Sequence, residues 1–194
     1  MERIYLGKDQ IEETLETIRF QNHIERYQLV KRYLYGTVLD VACGVGYGTY
    51  LMSNVPDVDL VIGADVDAET IKSASKNFNV PKTSFLVDSL EKINLINKID
   101  CVVSLETIEH LKDLNVYKEF IHRHYPELIV LSYPNKKSTH FNKYHFQDLN
   151  KQDIINLLPE YHIVKSEKQQ YDVTILVMVK NPPKMPSHIF SNFD

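Results

Sequence analysis

The feature that most narrows the fold is where this chain places its glycines. Five of its 6 glycines, in 194 residues, lie between Gly36 and Gly63, and three are packed into Gly44-Val-Gly-Tyr-Gly48. That is about 3% glycine overall, against a usual share of roughly 7%. The cluster directly follows an apolar run, Thr37-Val-Leu-Asp-Val-Ala42. Glycine lets backbone approach a neighbour closely or turn left-handed, so the loop sits where a buried strand ends against something else. A helix over 47–53 is predicted to come next. Strand, glycine loop and helix together aim backbone N–H groups and a positive helix end at a polar or anionic ligand.

The rest of the chain repeats that unit. Strands are predicted at 37–42, 60–64, 84–87, 99–104 and 128–131, with helices over 47–53, 67–77 and 106–123 between them. Such spacing suits right-handed crossovers and a parallel sheet. Apolar residues spaced by three and four over 9–35 predict one or two amphipathic helices first, a helical lid over 1–35. Residues 161–166 and 173–179 are close in sequence and predict an antiparallel hairpin at one edge of the sheet. The organisation expected is one α/β domain over 1–180 and a loosely ordered proline-rich tail over 181–194. Two cysteines, Cys43 and Cys101, make neither a disulfide framework nor a zinc set. The apolar runs are too short to span a bilayer and the N-terminus lacks a hydrophobic signal region, so the expected location is cytoplasmic.

The acidic residues define the ligand class. Asp65 lies 21 positions after Gly44, at the end of the second strand, where a carboxylate can accept from both ribose hydroxyls. To that point a dinucleotide site remains open. A dinucleotide fingerprint needs a third small residue at the position held here by Thr49, whereas these glycines run G-x-G-x-G. Asp40, just before the loop, suits an ammonium group better than a pyrophosphate. A nucleoside with an amino-acid tail has that charge pattern, which is the pattern of S-adenosylmethionine (SAM).

Val38-Leu-Asp-Val-Ala-Cys-Gly-Val-Gly-Tyr-Gly-Thr49 resembles the first motif of the class I SAM-dependent methyltransferases. Gly63-Ala-Asp-Val-Asp67 is similar to their second motif and Phe85-Leu-Val-Asp-Ser89 to the third. Ile99–Leu111 resembles their fourth strand and the start of the next helix. The resemblance implies a Rossmann-like seven-stranded, mostly parallel sheet with an antiparallel last strand and helices on both faces. It also implies a cofactor set of Asp40, Ala42, Gly44, Gly46, Tyr47, Gly48, Asp65, Val66, Asp88, Ser89 and Leu105, with S-adenosylhomocysteine (SAH) as product. Within it Asp65 would hold the ribose and Asp88 the adenine amino group. Gly63 reads as the approach to the ribose carboxylate, Gly36 as the opening of the first strand, Asp67 as a helix cap and Cys43 as a small buried residue. Tyr47 either covers the methionine end of the cofactor or packs.

The acceptor side is read from His23-Ile-Glu-Arg-Tyr27, Glu106-Thr-Ile-Glu-His110, Ser132-Tyr-Pro-Asn135 and Asn142-Lys-Tyr-His145. This series is similar to bacterial methyltransferases of the ubiquinone-biosynthesis type, including ones associated with saccharides. Their glycines before the fifth strand are replaced here by residues 122–126. The loop over 134–149 is too long for a simple turn, and long loops tend to carry function. His145 on that loop is the first candidate base for a hydroxyl acceptor, with Glu106 and His110 as further catalytic candidates. On a helix, Glu106, Glu109 and His110 would share one face. With His145 they also resemble the metal site of methyltransferases acting on the terminal 2′-hydroxyl of small RNAs. A divalent metal is possible but not favoured, because the same string occurs where no metal is implied.

A net charge of −4 gives no support for non-specific nucleic-acid binding. The basic groups Lys136-Lys137 and His122-Arg123-His124 read better as solvated surface. The expected activity is methyl transfer from SAM to a hydroxyl of a small metabolite, a sugar or nucleotide-sugar, or to an amine in a close variant. A metal-dependent RNA-terminal 2′-O-methyltransferase is the alternative, and a non-catalytic SAM-binding protein a second one.

Overall fold

The computed structural model describes residues 18–169, 172–181 and 184–193, in two compact units that divide after Ser89. Residues 1–17 of the expected N-terminal helical lid lie outside the described residues.

The first unit opens with α1 (Ile18–Val30), which runs into a 3-10 turn at Lys31–Tyr33. Next come β1 (Gly36–Val41), α2 (Tyr47–Ser53), β2 (Val58–Asp65), α3 (Ala68–Phe78) and β3 (Thr83–Val87). Both strand pairs are parallel, with Asp40 opposite Gly63 and Asp65 opposite Val87. Burial explains the order of the elements. Val38, Leu39 and Val41 are all interior, so β1 takes the central place that a β-branched run favours. Gly36, at φ +60, opens β1 as expected. Asp67 caps α3 by accepting from Thr70 N at 2.9 Å, the role its sequence position predicts.

The second unit holds β4 (Cys101–Ser104), α4 (Asn115–His124), β5 (Leu128–Pro134), α5 (Lys151–Leu157), β6 (Tyr161–Gln169), β7 (Val173–Lys180) and α6 (Ser187–Phe190). β4 pairs with β5 in parallel, whereas β7 runs antiparallel to both β5 and β6. β7 is buried from Val173 to Val179, which accounts for its apolar run and its place between two strands. Asn150 and Asp153 form a reciprocal capping box on α5. The strand order is β3-β2-β1-β4-β5-β7-β6, the seven-stranded sheet with one antiparallel strand that the sequence implies.

Three expectations are corrected. The helix expected over 106–123 is instead a 3-10 turn at Ile108–His110 and then, after a break, α4. Glu106 adopts φ +49, which no helix tolerates, and Asp113 accepts from Asn115 N at 2.9 Å to start α4 afresh. The tail carries a short helix at Ser187–Phe190 and is fastened where Lys184 N donates to Glu127 Oε2 at 3.1 Å. The cluster at 122–124 is not merely solvated. Arg123 donates to the carbonyls of Leu90 and Ile93, and His122 meets Glu160 at 2.6 Å. At the glycine-free turn before β5, Tyr125 itself takes the left-handed C-cap at φ 44, with the Lys180 ammonium 4.3 Å from its ring centre.

Candidate active site

In the first unit, the loop after β1 is built from left-handed residues. Ala42 at φ 55, Gly44 at φ 56 and Gly46 at φ 86 alternate with ordinary ones. Only one of the loop glycines faces open space. A Cβ on Gly44 would meet nothing within 4 Å, whereas one on Gly46 would lie 2.7 Å from Phe85 Cε1 and 2.8 Å from Ala74 Cβ. A Cβ on Gly48 would collide with the ring of Tyr27. Gly63 also differs from expectation: its missing side chain makes room for Thr49 Oγ1 and Cys43 Sγ, not for a ligand. Most of the glycine cluster therefore lets the protein close on itself, and Gly44 is the position left for a ligand to approach.

Two carboxylates frame this loop. Asp65 accepts from Gly44 N at 3.1 Å with one oxygen and from Asp67 N at 3.0 Å with the other. Asp40 is 1% exposed and accepts from the Thr49 hydroxyl at 2.7 Å. Burial pushes the Asp40 carboxyl up to about 7, with the Thr49 hydrogen bond pulling against it and the Asp65 charge adding to it. Asp88 accepts from Ser89 N at 2.8 Å, and its own N–H donates to the Asp65 carbonyl at 3.1 Å, so the ends of β2 and β3 are tied together. Val66, beside Asp65, is an exposed apolar side chain at 67%. Tyr47 packs edge-on against Tyr27 and meets His23 Nδ1 at 3.3 Å; Cys43 is buried. These groups fit SAM: a carboxylate at the end of β2, a second buried one before the loop, and open space at Gly44.

In the second unit, a separate cluster gathers the acceptor-side candidates. Glu106 N donates to Ser132 Oγ at 2.9 Å, and that hydroxyl donates back to Glu106 Oε1 at 2.7 Å. The pair pins the left-handed turn that begins the segment. Glu109 is 1% exposed, and its carbonyl accepts from Phe146 N at 2.8 Å and Gln147 N at 3.3 Å. His110 Nδ1 lies 2.8 Å from the Tyr144 carbonyl. The rings of His110 and His145 stand edge to face, 4.8 Å between centres. One ligand atom each from Glu109, His110 and His145 falls within 4.8 Å of the others. Among the described residues Glu106 is not part of that group, because its side chain turns to Ser132. Burial, and after it the neighbouring His110, hold the His145 imidazole below its usual pKa. Leu105, half-buried, directly precedes the turn.

Ser138, 2.6 Å from His145 Nδ1, and Asp148, which accepts from Ser138 N, escaped the sequence reading, whereas Thr49, Tyr27 and Ser132 stood within its motifs without the contacts described above. Thr49 was legible only as the residue that spoils a dinucleotide fingerprint. Spacing gives the others no role, because each acts through hydrogen bonds or a packed ring whose partner comes from elsewhere in the chain.

The sequence profile of a family described as "Methyltransferase domain" matches residues 38–125. Residues 38–125 are a methyltransferase domain, and the enzyme is a SAM-dependent methyltransferase with the Rossmann-like fold of that class. Its cofactor is SAM. Known structures share the methyltransferase's fold. N-methyltransferase NodS from Bradyrhizobium japonicum WM9, in complex with SAH, is 16% identical, with 89% of this chain and 97% of that one covered and a TM-score of 0.66. Magnesium protoporphyrin IX methyltransferase (ChlM) from Synechocystis PCC 6803, with bound SAH, is 16% identical, covering 89% and 93%, with a TM-score of 0.69. The methyltransferase domain of bacterial CtHen1-C is 16% identical, covering 82% and 96%, with a TM-score of 0.63. No curated protein matches the methyltransferase in sequence. Among its described residues, no helix is long and apolar enough to cross a membrane.

Proposed function

We propose that this cytoplasmic enzyme methylates a hydroxyl of a small, sugar-like metabolite such as a nucleotide-sugar, with an amine acceptor as a close variant. The observation that carries the reading is the convergence of Glu109, His110 and His145 in one cluster. Bound SAM supplies a methyl group already activated on a sulfonium. The protein's tasks are to align the acceptor, exclude water and remove the hydroxyl proton. His145, kept neutral near pH 7 by its lowered pKa, is the base in this reading. His110 flanks it, and Glu109 lies in the same cluster.

The loop carrying His145 also supports a sugar or nucleotide acceptor. Phe141, Tyr144 and Phe146 are all exposed, with Lys112 over the Phe146 ring and Lys143 over the Tyr144 ring. Aromatic faces stack on sugar and base rings, and the ammonium groups suit phosphate. On the cofactor side we assign Asp65 to the ribose hydroxyls, Asp40 to the ammonium and Asp88 to the adenine amino group. Ala42, Gly44, Tyr47, Val66 and Ser89 complete the lining, with Gly46 and Gly48 shaping the loop behind it. NodS is an N-methyltransferase and ChlM a magnesium protoporphyrin IX methyltransferase, so the acceptor here is read from this chain's own residues. Labelled methyl transfer into a metabolite extract, set against short RNAs, tests the reading. Label entering only RNA overturns it.

The cluster favours one second reading, a metal-dependent 2′-O-methyltransferase of RNA ends. Two imidazoles and a carboxylate suit Mn²⁺ or a similar ion. Titrating the metal-free protein with Mn²⁺ in the presence of SAM decides it, and an absence of heat removes it.

A further inference from the structure

Either task given to His145, taking a hydroxyl proton or ligating a cation, needs a lone pair on the ring nitrogen that Ser138 does not touch. His110 meets this requirement by geometry. Its Nδ1 lies 2.8 Å from the Tyr144 carbonyl oxygen, which can only accept, so Nδ1 carries the proton and Nε2 the lone pair. His145 differs, because its Nδ1 faces the Ser138 hydroxyl at 2.6 Å, and a hydroxyl can donate or accept.

The loop invests heavily in where that hydroxyl sits. Ser138 is 3% exposed and is the one buried residue over 135–149. Asp148, ten positions on, accepts from Ser138 N at 2.7 Å, from Thr139 N at 3.1 Å and from the Thr139 hydroxyl at 2.7 Å. The Ser138 carbonyl in turn accepts from Phe141 N at 3.2 Å and from Asn142 N at 2.9 Å, and the Asn142 carbonyl accepts from His145 N at 2.9 Å. Two successive hydrogen-bonded turns thus lead from Ser138 through Asn142 to His145. The Asp148 carboxyl is held down to about 2, first by the Thr139 hydroxyl and then by the two N–H groups, so the clamp stays ionised across the working range.

We propose that Ser138 is a positioning residue that accepts the Nδ1–H of His145, so that His145 and His110 both present an unprotonated Nε2 to the same space. Asp148 is its support, holding Ser138 through the backbone. Metal-ligating and base histidines are oriented in this way by the partner of their other nitrogen. The inference rests on the reading of His145 as the acceptor-side group.

Long-range ¹H–¹⁵N correlation spectra of the histidine rings, recorded at pH 8 on the full chain, test it without any acceptor. His145→Ala identifies the His145 signals. The expected wild-type pattern is a protonated Nδ1 and an unprotonated Nε2 on His145. Ser138→Ala is expected to move most of the proton to Nε2, Ser138→Thr to retain the wild-type pattern, and Asp148→Ala to give an average of the two forms. A wild-type His145 protonated on Nε2, or a Ser138→Ala spectrum identical to wild type, overturns the proposal. Unchanged methyl transfer by His145→Ala would instead remove the acceptor-side reading and leave the ring pattern standing, so the two failures are distinguishable.

Discussion

The backbone N–H of Gly44 donates to Asp65 Oδ2 at 3.1 Å, so the loop after β1 is fastened to the end of β2 by the carboxylate proposed to hold the ribose. In that proposal one side chain both shapes the cradle and contacts the cofactor. Asp65→Ala is expected to weaken SAM binding by roughly 10- to 100-fold, the worth of one or two charge-assisted hydrogen bonds. SAM raises the melting temperature of the wild type by mass action, and the variant should lose most of that rise. Differential scanning fluorimetry at millimolar SAM checks it. An equal rise in both proteins removes the ribose assignment.

Asp40 makes the stability of the first unit depend on pH in a definite direction. Its folded pKa of about 7 lies above the ordinary 3.8. Between those values the unfolded chain has released a proton that the folded chain keeps. Stability therefore falls as pH rises through that window and levels off above about 7, by about 1.4 kcal/mol for each unit of displacement. Asp40→Asn should abolish this slope and be the more stable protein at pH 8. If Asp40 also accepts from the SAM ammonium, binding at pH 6 should release a proton, and the variant should release none. Calorimetry in buffers of different ionisation enthalpy measures that proton directly.

At Glu106 strain and a hydrogen bond oppose each other. Its φ of +49 carries a cost of about 1–2 kcal/mol, held in place by the reciprocal bonds with Ser132. Glu106→Gly relieves the backbone and forfeits the side-chain bond, so its net stability should stay within about 1 kcal/mol of wild type. Methyl transfer should nonetheless fall at least tenfold, because the turn that sets the direction of Glu109 and His110 is no longer fixed. A melting curve beside a rate measurement separates the two effects. A large loss of stability with normal turnover would show the turn to be structural only.

Element order and the sheet were legible because burial repeats along the chain. The apolar runs at β1, β4, β5 and β7 are nearly unbroken, and each became an interior strand. The segment from Glu106 to Leu114 departs from its helical spacing for a local reason. Its intervals of three and four are helical, but a left-handed Glu106 and the Asp113–Asn115 side-chain turn override them, and neither leaves a mark in the periodicity. Tyr125 hid in the same way, since a left-handed helix cap is expected at glycine or asparagine. At the cofactor loop, types and spacing identified the acidic residues. They did not separate the glycine facing open space from those that make room for Phe85, Tyr27 and Thr49.

That separation yields the sharpest contrast available for mutagenesis. Gly44→Ala adds a methyl group to open space at φ +56, so the cost is backbone strain alone, about 1–2 kcal/mol. Gly46→Ala meets the same kind of strain at φ +86 and also drives a Cβ into Phe85 and Ala74, adding roughly 1–3 kcal/mol of overpacking. For a chain of this size each kcal/mol lowers the melting temperature by about 2–4 °C, so Gly46→Ala should melt clearly below Gly44→Ala. SAM affinity should rank the other way relative to stability. The added methyl group would fill the open space over which the cofactor is proposed to approach and should cost at least tenfold in binding despite the milder destabilisation. Isothermal titration with SAM, at a temperature where both variants are folded, decides the matter. A Gly44→Ala protein that binds SAM as tightly as wild type would mean that the cofactor does not pass over this loop.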